Sequence, residues 1–162
     1  MGNQDLLLDE IGHPTVILRE SVIAHLRENI QKRWWQCEAG GQLFARVNSR
    51  EWIVELATGP RQSDFRSRFA FRPDRCAERT EIETLFAEGL HYIGDWHTHA
   101  EDLPTPSARD LKSMSDIVFK SKHSLDGFLM LIVGRSEFPK GLWASKHFRD
   151  GSYMRFPVER SQ

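Results

Sequence analysis

The triplet His97-Thr98-His99 restricts its local backbone more tightly than any other feature of this chain. If both imidazoles are to meet at one point, the segment must be extended, because strand side chains at i and i+2 share a face. On a helix the same two residues would diverge by about 200°, at about 100° per residue. The stretch ahead of them, Leu90-His91-Tyr92-Ile93-Gly94-Asp95-Trp96, is aromatic and apolar and reads as a strand. The triplet therefore predicts a strand that delivers two imidazoles to one place at its end.

A loop stiffened by Pro104 and Pro106 follows, and then a helix with Leu111, Met114 and Val118 on one side. Ser107 suits its N-cap, and Asp110 sits in the first turn, facing back toward the loop. Two imidazoles and a carboxylate are metal ligands that leave one tetrahedral position open, the mark of a catalytic rather than a structural zinc site. Ser107-x-x-Asp110 also reads as an ordinary capping arrangement, although Glu or Gln more often fills the last position. Metal-assisted hydrolysis still needs a base. Glu38 is the candidate, lying between an expected helix and an expected strand and followed by Gly40-Gly41. The plainer reading of Glu38 is a solvated residue at a helix end.

Taken together, Glu38-x-Gly40-Gly41-x-Leu43 and His97-x-His99-x7-Ser107-x-x-Asp110 resemble the JAMM (JAB1/MPN/Mov34) metalloproteases over residues 15–147. The resemblance implies that His97, His99 and Asp110 bind zinc, one ion per chain, with water as fourth ligand. It implies that Glu38 is the general acid/base and that Ser107 steadies the oxyanion. One departure is Ala100, where the family often has Pro after the second His. The implied fold is a curved mixed sheet flanked by helices, related to cytidine deaminases.

The 162 residues fit one domain, read as an extension over 1–14, a JAB/MPN domain over 15–158 and a tail over 159–162. A net charge of −1 gives no electrostatic case for nucleic acid or a membrane surface as partner. No segment is long and apolar enough to span a bilayer, and the N-terminus lacks the basic start of a signal peptide. Cys37 and Cys76 make no disulfide framework, so the expected compartment is the cytoplasm. Cys37 is read as a buried structural thiol.

Strands are expected at 15–18, 42–47 and 51–57, the last two as a hairpin around Asn48-Ser49-Arg50. Further strands are expected at 90–96, 127–133, 142–148 and 152–158. Helices are expected over 21–33, capped by Ser21, over 74–88, and from Ser107. Phe65, Phe69 and Phe71, alternating with arginines, read as one strand with the three rings on one face. Strands mixed with a few helices, without regular alternation, make an α/β or α+β domain.

Arg61, Arg66, Arg68, Arg72, Arg75 and Arg79 form either the wet face of a half-buried strand or a partner surface. In the resembled family the corresponding insertion grips the substrate's extended tail, which implies such a contact for Arg66 and Arg68. Trp96 reads as core packing or as support for the ligand strand. The compact length and the Trp-His-Thr-His and Pro-Thr-Pro-Ser runs resemble the bacterial deconjugating isopeptidases. These belong to anti-phage CBASS operons, where they release a cGAS-like nucleotidyltransferase from its targets, or to Bil-type operons with a ubiquitin-like modifier. Peptidases of sulfur-carrier proteins are a further branch. The alternative from another class is a non-catalytic, metal-containing module that binds ubiquitin-like tails.

Overall fold

The computed structural model describes residues 4–158. Its centre is β8 (Gly127–Val133), Gly-Phe-Leu-Met-Leu-Ile-Val, buried at every position. A strand with no polar face needs cover on both sides. Leu129, Leu131 and Val133 point into the larger core, while Phe128, Met130 and Ile132 point into a smaller one. The period of two thus divides one apolar run between two layers.

The larger core lies under α1 (Glu20–Glu28), which contributes Val22, Ile23 and Leu26. The smaller core lies under α3 (Ala108–Lys120), which contributes Met114 and Val118 against Trp143 and the β8 residues. A third helix, α2 (Arg75–Ala87), packs beside β7 (His91–Thr98). The remaining strands are β1 (Leu6–Leu8), β2 (Thr15–Leu18), β3 (Gly40–Val47), β4 (Glu51–Ala57), β9 (Leu142–Phe148) and β10 (Tyr153–Arg155), with a hairpin of β5 (Phe65–Arg66) and β6 (Phe71–Arg72). The main sheet has eight strands in the order β1-β2-β4-β3-β7-β8-β9-β10. It is mixed: β2 with β4 and β7 with β8 are parallel, and the other pairs are antiparallel. This is the expected mixed α/β architecture.

Several elements depart from expectation. The first helix starts at Glu20 and stops at Glu28, not 21–33, and Ser21 is not its cap. Its first N–H group is served from a distance: Asp5 Oδ1 accepts from Glu20 N (3.0 Å), and Asp5 also pairs with Arg19 (2.7 Å). Asn29 Nδ2 closes the other end by donating to His25 O (2.9 Å). Residues 6–8, read as part of an extension, form an edge strand antiparallel to β2. The segment 65–72 is a hairpin rather than one strand. Ser67 N donates to Ala70 O (2.8 Å) and reverses the chain, so the three phenylalanines do not share a face. Phe69 is 77% exposed, whereas Phe71 lies against Gly40. The last strand stops at Arg155, and residues 159–162 lie outside the described residues.

Candidate metal centre

The site sits where β7 ends. Gly40 pairs with His97 across the β3–β7 ladder. One step on, Thr98 N donates to Ala39 O (2.9 Å) and Ala39 N donates to Thr98 Oγ1 (3.0 Å). Opposed residues share a face, so continuing this ladder sets Glu38 across from His99, on the same face as both imidazoles. His99 N donates to Val133 O (3.0 Å), which keeps the second histidine extended. This is the strand geometry that the His-x-His spacing requires.

Asp110 arrives from the first turn of α3. Its Oδ2 accepts from Ser107 N (2.8 Å), and Ser107 Oγ accepts from Asp110 N (3.1 Å). The pair is a complete capping box built with Asp instead of Glu. The capping reading of the pair and the ligand reading of Asp110 are therefore compatible in one arrangement. Asp110 Oδ1 lies 3.3 Å from His97 Nε2, Oδ2 lies 3.2 Å from His99 Nε2, and the two Nε2 atoms are 3.1 Å apart. Ligands about 2.0–2.1 Å from one tetrahedral zinc stand roughly 3.3 Å from each other, so the donor set fits one small divalent ion. Among the described residues these three form the group able to hold a metal. Glu101 Oε2 stands 3.5 Å from the outer nitrogen of His99, the position from which a carboxylate orients a ligating imidazole.

Burial pushes the Asp110 carboxyl upward, but hydrogen bonds from His97 and His99 outweigh it and hold the group well below the usual carboxylate range. Burial raises Glu38 above its ordinary value, against the pull of His97 and His99. A raised carboxyl is better matched to carrying a proton near neutral pH.

A groove of about 400 Å³ opens over the centre, lined by Glu38, His97, His99, Ser107 and Asp110. Its far wall comes from the hairpin (Arg68, Phe69, Phe71) and from α2 (Arg75, Glu78). All five expected site residues therefore border one space. Arg66 and Arg68 separate: Arg68 lines the groove, while Arg66 Nε donates to Glu38 O (2.7 Å). Trp96 is 1% exposed and donates to Thr58 O (2.8 Å), so it is a core residue tied to a neighbouring loop.

Sequence reasoning missed two features. Thr98 and Gln31 are buried behind the ligands and bonded to each other (2.9 Å). Thr98 is deducible, since a residue between two ligands on a strand must face away from them, but nothing in the sequence marks Gln31 as its partner. Beside the centre, Asp95 accepts from Tyr92 (2.8 Å), and burial together with nearby Asp95 pushes Glu78 up to about 7. Tyr92 and Asp95 are three apart yet share a side, because the ladder is irregular there and Gly94 takes φ +147°. A Cβ at Gly94 would stand 1.9 Å from Leu129 O.

The family described as prokaryotic homologs of the JAB domain matches residues 18–146. The chain belongs to that family. A CD-NTase/cGAS isopeptidase of Escherichia coli (strain TW11681) is 29% identical to this JAB domain over 152 residues, covering 91% of each chain. One of Pseudomonas aeruginosa (strain BWHPSA011 / Pa011) is 32% identical over 122 residues, 72% of this chain and 75% of the relative. One of Vibrio cholerae serotype O1 is 27% identical over 153 residues, 93% of each. The solution structure of protein DSY2949 from Desulfitobacterium hafniense shares the fold, with TM-score 0.55 and 21% identity over 84% of this chain and 83% of that one. This JAB domain is an isopeptidase-type hydrolase. Among its described residues no helix is long and apolar enough to cross a membrane.

Proposed function

We propose that this JAB domain, over residues 15–158, is a zinc isopeptidase of anti-phage defence, acting in the cytoplasm. It hydrolyses the amide bond that follows the C-terminus of a cGAS-like nucleotidyltransferase, freeing that protein from its targets. The observation carrying this reading is the convergence of His97, His99 and Asp110 on one point, with Glu38 and Ser107 on the rim of the same groove. The relatives named CD-NTase/cGAS isopeptidase favour the nucleotidyltransferase tail over a ubiquitin-like or sulfur-carrier protein.

His97 Nε2, His99 Nε2 and an Asp110 oxygen would hold the metal. When bound, zinc supplies a Lewis acid that polarises a carbonyl and makes water a stronger acid. Glu38 takes a proton from the attacking water as its oxygen bonds to the carbonyl carbon. Glu38 then delivers that proton to the amine nitrogen as the C–N bond breaks. The Ser107 oxygen already accepts the Asp110 N–H, so its own hydrogen is free to donate to the developing oxyanion. The groove between the hairpin and α3 admits an extended tail, and main-chain pairing along a strand edge would hold it.

The test is cleavage of a fusion between the partner nucleotidyltransferase's C-terminus and a reporter. The wild type should cut at the junction. Glu38→Gln should lose roughly a hundredfold or more in kcat while still binding one zinc per chain, and a chelator should abolish turnover. Zinc-loaded wild type that binds the tail without cutting it would make the domain a binding module instead.

A further inference from the structure

Glu38 lies two residues before β3, just past the end of the ladder that faces it toward His99. The main chain there is gripped from the β5–β6 hairpin on both sides. Glu38 N donates to Ser67 O (2.8 Å), and Arg66 Nε donates to Glu38 O (2.7 Å). The Arg66 guanidinium also reaches Cys37 O (3.5 Å). The hairpin is in turn seated on the site. Phe71 lies so close over Gly40 that a Cβ there would be 2.6 Å from its ring. Gln31, 2% exposed, donates to both Gln36 O and Arg68 O (3.2 Å each), and its Oε1 accepts from Thr98 Oγ1 between the two histidines.

We infer that Arg66 is a positioning residue for Glu38. The hairpin sets the carboxylate's place over the metal centre, while its neighbour Arg68 serves the substrate groove. This rests on the reading of Glu38 as the base. The charge of Arg66 is spent on two carbonyls of the chain itself, whereas Arg68 stacks on exposed Phe69 and borders the groove. A tail docking along the hairpin therefore presses on the element that holds the base. The glycine after Glu-x is needed for the hairpin's seat as much as for the strand: only a residue without a side chain lets the Phe71 ring lie on the backbone there.

The test separates the two arginines in the zinc-loaded protein. With the nucleotidyltransferase–reporter fusion as substrate, Arg66→Ala should lower kcat roughly tenfold or more, as for loss of a charge-assisted hydrogen bond, with KM changed less than about threefold. Arg66→Lys should restore part of the loss. Arg68→Ala should do the reverse, raising KM with kcat nearly kept. Independently of turnover, amide hydrogen exchange at Glu38 should quicken roughly tenfold in Arg66→Ala and not in Arg68→Ala. If Arg66→Ala raises KM alone, or leaves Glu38 exchange unchanged, the inference is overturned. If the wild type cleaves nothing, the proposed reaction fails while the exchange result still decides the clamp.

Discussion

Replacing Thr98 with valine tests how much of the ligand geometry is held from behind. The side chain is fully buried, and its hydroxyl makes two bonds: it accepts from Ala39 N (3.0 Å) and donates to Gln31 Oε1 (2.9 Å). Valine keeps the branched shape and strand preference and removes only the polar atom. Both former partners stay buried. The Gln31 amide cannot swing to new partners, because its nitrogen is held by Gln36 O and Arg68 O. Each of the two stranded groups costs about 1–3 kcal/mol, so Thr98→Val should lose about 2–6 kcal/mol. Thr98→Ser keeps the hydroxyl and should lose only about 1 kcal/mol, for the missing methyl. Urea unfolding of metal-free protein measures both without the linkage that a bound ion adds. If valine and serine fall within about 0.5 kcal/mol of each other, the network carries no stability and the reasoning fails.

The smaller-core face of β9 offers a pH test. His147, 3% exposed and bonded to Ser145 Oγ (2.9 Å), is lowered by burial from 6.5 to about 4. Its folded value lies below its unfolded one, so its contribution is intact above about pH 6.5 and drains away as pH falls toward 4, at most about 3 kcal/mol. His147→Gln should flatten that part of the acid limb in chelator; an unchanged profile would mean that the histidine is not kept neutral by the fold. At Gly41 an added Cβ would stand 1.7 Å from Thr58 O, a main-chain atom that cannot step aside, so Gly41→Ala should cost at least about 3 kcal/mol. Gly12→Ala meets open space and only the strain of φ +85°, about 1–2 kcal/mol. Equal midpoint shifts for the two alanine variants would count against that close approach.

What was readable in advance follows how locally each feature is encoded. The His-x-His strand, the Ser107 helix start and the buried run of β8 depend on periodicity and capping within a few residues, and the structure contains them. The first helix differs from its local signals at both ends. Its start is capped by Asp5, fifteen residues away, and Gln31, which looked helical, is drawn out toward Thr98, sixty-seven residues away. The Phe-Arg alternation suggested one strand because nothing in it shows that Ser67 turns the chain. Glu38, His97, His99, Ser107 and Asp110 stand out by pattern and resemblance, and the structure brings them to one groove. That Arg66 spends its charge on the Glu38 carbonyl could be known only once the hairpin was folded against it.

Asp110 holds two offices at once. One oxygen closes the capping box of α3, and the same carboxylate meets both histidines. A descendant that abandoned catalysis by changing this residue would also unfasten the helix covering the smaller core. Asparagine there would keep much of the cap and forfeit the ion, while alanine would forfeit both. On the proposed mechanism, retirement from catalysis is therefore cheapest by way of Glu38 or one of the histidines. In a silent relative that has lost Asp110 itself, a rebuilt helix start should accompany the loss.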